Sequence, residues 1–209
     1  RSLPPAMLII TTGLTGTGKS TVAKEFATRV GARVISSDVV RKRLLGMKPS
    51  ERAREEYRRG IYSRAVTDAT YKALMEEARP LLLAGTHVIL DAAFLHRRYR
   101  DVARRLARET GAQFACLEIT APQREVRTRL DQRVASNKGP SDGRWDIYVT
   151  QKRRYQPPSE IEANRRIRIN TANPSTTYLP ASLKAIHMLS PLSLASLTLR
   201  DRRGRLTPA

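Results

Sequence analysis

One eight-residue segment limits the possible folds of this chain more than any other part of the sequence. Residues 13–20 read Gly-Leu-Thr-Gly-Thr-Gly-Lys-Ser and match the pattern G-x-x-x-x-G-K-[ST] at every fixed position. A short apolar run over residues 7–12 precedes the segment, and apolar side chains recur at helical spacing over residues 20–30. The sequence therefore predicts a strand, a glycine-rich loop and a helix in succession, which is the context of a phosphate-binding loop.

The residue types in this loop suit the binding of nucleotide phosphates. Glycine lets consecutive backbone N–H groups curl around phosphate oxygens, and the following helix adds its positive N-terminal end. Lys19 is placed to reach the β- and γ-phosphates, and the Ser20 hydroxyl is placed to bind Mg²⁺. The predicted nucleotide-binding residues are Gly13, Leu14, Thr15, Gly16, Thr17, Gly18, Lys19, Ser20 and Thr21.

Strand-like and helical patterns alternate five times along the chain. The expected strands cover residues 7–12, 33–36, 86–91, 113–119 and 166–170. Between them lie longer segments with helical spacing, most of which end at glycine. This alternation predicts an α/β fold with a five-stranded parallel sheet and helices on both faces.

The expected domain boundaries follow from where this alternation stops. It covers residues 7–174, within which residues 124–144 are expected to form a short helical and loop lid. Residues 1–6 are an N-terminal extension or the end of a fragment. Residues 175–209 form an irregular C-terminal segment in which a short helix fits residues 181–189, and the last fifteen or so residues are expected to be mobile.

The charge of the chain is strongly positive. Lys and Arg total 39 against 19 Asp and Glu, which gives a formal net charge of +20. Such a balance suits polyanionic partners, including nucleotides and nucleic acid. A compositional explanation stays open, since 31 of the 39 basic residues are Arg and GC-rich coding favours that residue.

The sequence also bears on the compartment. Cys116 is the only cysteine, which excludes an internal disulfide framework and favours a reducing environment. No apolar run approaches the roughly 20 residues of a membrane helix, so we expect a cytoplasmic protein without a membrane partner. The chain begins with Arg1 rather than Met, which suggests a piece of a longer fused protein.

Two acidic residues follow predicted strands. Ligands of such sheets bind outside the carboxyl ends of the strands, where Asp38 and Asp91 are expected to lie. Asp91 closes an apolar strand and is a candidate ligand of Mg²⁺ or its water shell, while Asp38 is a candidate acceptor of a proton from an attacking hydroxyl. The alternatives are structural: Asp38 as the N-cap of the following helix and Asp91 as a turn residue.

Several segments together resemble the small P-loop kinases of the AAA_33 or "predicted kinase" type. They are residues 13–21, 36–41, 88–94, 127–133 and 141–142, and the resemblance extends over roughly residues 7–172. This group is similar to polynucleotide 5′-kinases, chloramphenicol phosphotransferase, zeta toxins and gluconate kinase, and often occurs fused behind an aminoglycoside phosphotransferase-like domain. The resemblance implies that Asp38 is the general base and that Arg41 helps to hold the acceptor. A solvated basic face over residues 41–43 is the alternative for Arg41.

An arginine-rich helix is predicted over residues 123–135. Arg129 and Arg133 are four residues apart and therefore share a helix face. Guanidinium groups suit phosphate oxygens and the charge of a transition state, so both arginines are candidates for a catalytic lid over the phosphates, which the resemblance favours. The alternative is an exposed helix with an ion pair between Arg127 and Asp131.

These observations predict an ATP-dependent kinase that phosphorylates a hydroxyl group. GTP is disfavoured because the segment Asn137-Lys138-Gly139 continues with Pro140 where guanine-binding Asn-Lys-x-Asp elements have Asp. A small-molecule acceptor is preferred, and a polynucleotide 5′-hydroxyl end is the alternative. Residues 97, 98 and 100 are arginines that we expect near the acceptor. A nucleotide-dependent switch or ATPase without an acceptor is the rival of another class.

Overall fold

A five-stranded sheet forms the centre of the protein, and each pair of neighbouring strands runs parallel. The computed structural model describes residues 5–48, 63–136, 144–189, 199–200 and 206–207. The strands are β1 (Met7–Thr12), β2 (Arg33–Ser36), β3 (Val88–Asp91), β4 (Gln113–Thr120) and β5 (Arg166–Asn170). Their order across the sheet is β2-β3-β1-β4-β5, so the strand that leads into the phosphate loop lies in the middle.

Helices connect the strands and cover the sheet. In chain order they are α1 (Lys19–Val30), α2 (Ser37–Leu44), α3 (Arg64–Leu83), α4 (Arg97–Glu109), α5 (Gln123–Ser136), α6 (Trp145–Arg154) and α7 (Ser175–Leu189). Two further strands of two residues each, β6 (Leu199–Arg200) and β7 (Leu206–Thr207), pair antiparallel. Within the described residues, no helix has both the length and the apolar character needed to cross a bilayer.

Alternate residues of the strands face two separate cores. In β1, Leu8 and Ile10 pack with side chains of α3 and α4, whereas Met7 and Ile9 pack with side chains of α1 and α7. Because successive side chains of a strand point to opposite faces, this split means that helices cover both faces of the sheet. The predicted α/β class with a five-stranded parallel sheet is confirmed.

The C-terminal helix differs from its prediction. The sequence pattern indicated a short helix over residues 181–189, but α7 begins at Ser175 and contains Pro180. Its buried side chains Leu179, Leu183 and Ile186 belong to the core beneath β1, β4 and β5. Burial of this face outweighs the backbone hydrogen bond that proline removes, so the packed part of the chain extends past the expected boundary at 174.

Some predictions fall outside the described residues. They concern residues 1–4 of the N-terminal extension, the loop at 137–143 within the predicted lid, and most of the C-terminal segment beyond 189. The loop at 137–143 includes the Asn-Lys-Gly-Pro segment from which the sequence analysis disfavoured GTP. The helical part of the predicted lid is described: it is α5, which packs through Val126 and Leu130 against Tyr148 of α6, a helix that begins just after the predicted lid.

Candidate active site

A cleft of about 520 Å³ opens at the carboxyl ends of the strands. Its floor is the phosphate loop after β1, and its walls come from α2, α3, the β3–α4 connection and the helices α5 and α6. Parallel strands bring the segments that follow them to the same edge of the sheet, which is where α/β proteins bind ligands. Among the residues predicted to act in catalysis, acceptor binding or metal binding, the cleft is lined by Lys19, Ser20, Asp38, Arg41, Asp91 and Arg133.

The phosphate loop has backbone conformations that only glycine adopts readily. Gly13 has φ +146°, and a Cβ atom there would lie 2.3 Å from the carbonyl oxygen of Ile119. Gly16 has φ +78°, and its Cβ would lie 2.9 Å from the Cγ1 atom of Val126 in the lid helix α5. These two positions therefore require glycine both for the turn and for the close approach of neighbouring elements.

Six of the nine predicted nucleotide-binding residues line the cleft directly. They are Thr15, Gly16, Gly18, Lys19, Ser20 and Thr21. The remaining three, Gly13, Leu14 and Thr17, make hydrogen bonds that shape the loop. The N–H of Gly13 donates to the Ala93 carbonyl (3.1 Å), and the Thr17 hydroxyl donates to the Leu14 carbonyl (2.8 Å).

Lys19 stands at the first position of α1, among the charged groups of the cleft. Its ammonium Nζ donates to the Leu14 carbonyl at 2.7 Å. Burial lowers the pKa of Lys19 to about 8, the carboxylates of Asp91 and Asp38 act in the opposite direction, and Arg133 adds to the lowering. A bound phosphate would favour the charged ammonium form of Lys19, so this residue is suited to binding an anion.

Asp91, the last residue of β3, faces the start of α1. Burial raises the pKa of Asp91, while the nearby Ser20 hydroxyl and the charge of Lys19 lower it. A hydroxyl oxygen and a carboxylate oxygen close together are ligands that Mg²⁺ prefers, so Ser20 and Asp91 fit a magnesium site.

Asp38 lies in the first turn of α2, beside Asp91. The N-cap of this helix is Ser36, whose side chain makes no capping hydrogen bond, so Asp38 is not the cap that the structural alternative required. The carboxylate of Asp38 instead accepts a hydrogen bond from Arg41 Nη1 at 3.0 Å. Arg41 is only 8% exposed, which excludes the solvated basic face as an explanation of this residue.

The two lid arginines lie in different surroundings. Arg133 lines the cleft and lies close enough to Lys19 to affect its pKa. Arg129 is not among the residues that line the cleft. Its Nη1 and Nη2 donate to the hydroxyl and carbonyl of Thr171, both at 2.8 Å, and the Thr171 hydroxyl donates in turn to the Thr17 carbonyl at 2.8 Å. Arg129 thus ties the loop after β5 to the phosphate loop.

Gln151 of α6 is a site residue that the sequence analysis missed. Its side-chain carbonyl accepts a hydrogen bond from the Thr15 N–H at 2.8 Å, which attaches α6 to the phosphate loop. A glutamine inside a helix carries no sequence signal of such a role, because the contact spans 136 residues of chain.

The three arginines expected near the acceptor also separate. Arg98 lines the cleft. Arg97 is exposed and pairs with Asp101. Arg100 has no exposed side-chain surface, and it bonds Glu160 (2.5 Å) and the carbonyls of Phe94 (2.8 Å) and Gln156 (2.9 Å). The expectation is therefore wrong for Arg100, which is an internal cross-link between the β3–α4 connection and the segment after α6.

An aromatic pair supports the wall beside Arg98. The rings of Tyr71 and Tyr99 stack with centroids 3.8 Å apart. The Tyr99 hydroxyl donates to Asp68 at 2.6 Å, and Arg98 Nη2 donates to the same carboxylate at 2.7 Å. Burial and the hydrogen bond to Asp68 raise the pKa of Tyr99 to about 12, so the phenol stays neutral and the charge of this wall comes from arginine.

Comparison with known proteins agrees with this geometry. The uncharacterized protein Rv2004c of Mycobacterium tuberculosis is 35% identical over 167 residues, which is 80% of this chain and 32% of that protein. The chain therefore spans about a third of the length of the curated relatives it matches.

Two solved structures have the same fold. A sugar kinase from Janibacter sp. HTCC2649 matches with a TM-score of 0.66 and 18% identity, over 93% of this chain and all of that one. The Mycobacterium tuberculosis APS kinase CysC, solved with AMPPNP and APS, matches with a TM-score of 0.64 and 19% identity, over 88% of this chain and 99% of the other. At these identities the likeness establishes the fold alone, which is that of the P-loop kinases.

A family model places the chain more specifically. The AAA_33 family, described as an AAA domain, matches residues 8–158. This range contains the phosphate loop, both strand-end acids and the helices α5 and α6, which all contribute to the cleft. The chain belongs to the AAA_33 family, as its motifs predicted.

Proposed function

We propose that the protein is an ATP-dependent kinase that transfers the γ-phosphoryl group of ATP to a hydroxyl group of a small molecule. The observation that carries this proposal is the placement of Asp38. It lies in the cleft close enough to the phosphate-loop Lys19 to affect its pKa, while a different carboxylate, Asp91, lies near the Ser20 hydroxyl. One acid is thus available to the acceptor and another to the metal.

Each residue then has a separate task. The loop amides and Lys19 hold the β- and γ-phosphates, and Ser20 and Asp91 would hold Mg²⁺, which when bound neutralises charge on the phosphate oxygens. The acceptor oxygen bonds to the γ-phosphorus as the bond from that phosphorus to the β–γ bridging oxygen breaks. The bridging oxygen leaves with the electron pair as part of ADP, and the hydroxyl proton passes to Asp38.

Two further observations support the proposal. The cleft volume of about 520 Å³ falls within the range of about 300–1,000 Å³ that is usual for small-molecule sites. The solved structures with this fold include a sugar kinase and an APS kinase bound to AMPPNP and APS. The described residues that line the cleft all lie within the region that matches the family model.

Acceptor-dependent ATP consumption tests the proposal. Purified protein is incubated with ATP and Mg²⁺, alone and with single acceptors drawn from sugars, hydroxy acids, nucleosides, aminoglycosides and 5′-hydroxyl oligonucleotides. A kinase is expected to consume little ATP alone and to form ADP and phosphorylated acceptor in equal amounts. Rapid hydrolysis that no acceptor changes would favour the switch or ATPase. Transfer to oligonucleotides only, with affinity falling steeply as salt rises, would favour the polynucleotide kinase.

The lid arginines offer a second test. We assign Arg133 to the transferring phosphoryl group and Arg129 to positioning the loop after β5. Arg133→Gln is expected to lower kcat roughly 10²–10³-fold, the scale for loss of one group that stabilises transition-state charge. Arg129→Gln is expected to raise KM for ATP with a much smaller change in kcat. Arg124→Gln is the matched control, since that side chain lies on the same helix and is 89% exposed. Equal losses of kcat at 129 and 133 would contradict the assignment.

A further inference from the structure

The end of the cleft beyond Asp38 is positively charged. Among the described residues that line the cleft, six are basic and two are acidic: Lys19, Arg41, Arg64, Arg98, Arg133 and Arg154 against Asp38 and Asp91. Lys19 and Arg133 are assigned to ATP and Asp91 to the metal. The acceptor end formed by α2, α3 and α4 then contains three arginines and one carboxylate.

Among the described residues, two of these arginines share one carboxylate. Arg64 and Arg98 both pair with Asp68, at 3.8 Å and 2.7 Å, while Arg41 pairs with Asp38 at 3.0 Å. Asp68 therefore neutralises only one of the two charges of Arg64 and Arg98, and Tyr99 stays neutral because its pKa is raised to about 12. A neutral acceptor would leave this positive charge without a counterpart.

Arg98 is held in a fixed orientation with donors to spare. Its guanidinium lies 4.4 Å from the centroid of the Tyr99 ring, and it also hydrogen-bonds the Tyr99 hydroxyl. Within the described part of the chain, its hydrogen bonds to Asp68 and Tyr99 both use Nη2. The Nε and Nη1 donors remain, and each can donate a charge-assisted hydrogen bond to an oxygen of a carboxylate, phosphate or sulfate. The side chain is 45% exposed and lines the cleft, so a ligand can reach it.

We propose that the acceptor is a small molecule with an anionic group beside its reactive hydroxyl, and that Arg98, supported by Arg64, binds that group. The inference rests on the proposed kinase function for the identity of the reaction, but the anion site itself can be tested separately. Its chemistry is that of an oxyanion: the carboxylate of a hydroxy acid or a phosphate or sulfate ester.

An anion titration tests the site without knowledge of the acceptor. The phosphate loop is first saturated with Mg²⁺ and AMPPNP, so that added anions cannot occupy it, and sulfate or glycerate is then titrated by calorimetry. We expect at least one of the two to bind, and the stronger of them indicates an ester or a carboxylate. Arg98→Gln is expected to weaken that binding about tenfold, because the charge-assisted hydrogen bonds of the guanidinium are lost.

Arg97→Gln is the matched control. Arg97 is the neighbouring residue of the same helix, carries the same charge and pairs with Asp101 at the exposed surface. Equal weakening by the two substitutions would mean that the anion responds only to the general charge of the protein, and this would overturn the proposal. The absence of binding by both anions to the wild-type protein would also overturn it.

Turnover with matched acceptor pairs gives the second measurement. The pairs are gluconate and glucose, glycerate and glycerol, and a nucleoside monophosphate and its nucleoside. The anionic member of a pair is expected to be the better substrate, and Arg98→Gln is expected to raise its KM about tenfold with little change in kcat. Equal use of the neutral member, or preference for an oligonucleotide, contradicts the inference. Anion binding as described with no transfer to any acceptor would count against the kinase function while the anion site stands.

Discussion

Replacing Lys19 by Met is expected to lower the rate of phosphoryl transfer at least roughly 10²–10³-fold while the protein remains folded. The ammonium is the charged group of the phosphate loop, and its loss removes a contact that strengthens as charge moves toward the leaving oxygen. Turnover is measured with the best acceptor from the screen, and folding is checked by circular dichroism and thermal unfolding. Normal turnover by a folded Lys19→Met protein would remove the basis of the kinase proposal.

The pH dependence of nucleotide binding is the internal control for Lys19. Because the pKa of this ammonium is lowered to about 8, the wild-type residue loses its charge in the free protein as pH rises through that value. Bound phosphates favour the charged form, so nucleotide binding is expected to take up a proton above pH 8 and to weaken there. The Met variant is expected to lack this fall in affinity. A wild-type affinity that stays constant through this range would contradict the assignment.

Replacing Asp38 by Asn is expected to reduce turnover roughly 10²–10⁴-fold, which is the usual scale for a lost general base. The affinity for ATP with Mg²⁺ is expected to stay near the wild-type value, because Ser20 and Asp91, which we assign to Mg²⁺, are unchanged. Asp91→Asn is the contrasting variant, and it is expected to raise the Mg²⁺ concentration needed for activity.

The choice of asparagine separates a proton acceptor from a positioning residue. The side-chain oxygen of asparagine can still accept the hydrogen bond that Arg41 Nη1 donates to Asp38, but it cannot take a proton from the acceptor. Asp38→Ala removes both capabilities. If Asp38 only positions Arg41, Asn is expected to retain activity and Ala to lose it, and that outcome would contradict the role of Asp38 as base.

The phosphate loop and the sheet could be predicted from the sequence because their determinants are local. Gly13, Gly16 and Lys19 lie within seven consecutive residues, and the backbone turns they require depend mainly on their own residue types. The alternation of strands and helices implies a parallel sheet, and a parallel sheet brings all strand ends to one edge. Asp38 and Asp91 could therefore be assigned to one cleft although they lie far apart in the sequence.

The sequence does not indicate the hydrogen-bond and ion-pair partners of the other polar side chains. Arg98 and Arg100 are two residues apart in one helix, yet Arg98 lines the cleft and Arg100 lies in the interior because Glu160, sixty positions away, packs against it. Arg129 and Arg133 share a helix face, but Arg129 bonds Thr171 in the loop after β5, whereas Arg133 lines the cleft. The spacing of the two arginines does not indicate this difference.

The sequence by itself thus determined the fold class, the phosphate loop and the edge of the sheet where ligands bind, since these depend on residue types and on spacing within single elements. The tertiary structure alone decided which arginines enter the cleft, that Gln151 holds the phosphate loop, and that α7 continues through Pro180 to cover the sheet. The physical reason is that a hydrogen bond or a buried face depends on groups that the fold brings together from distant positions, and no local pattern records those partners.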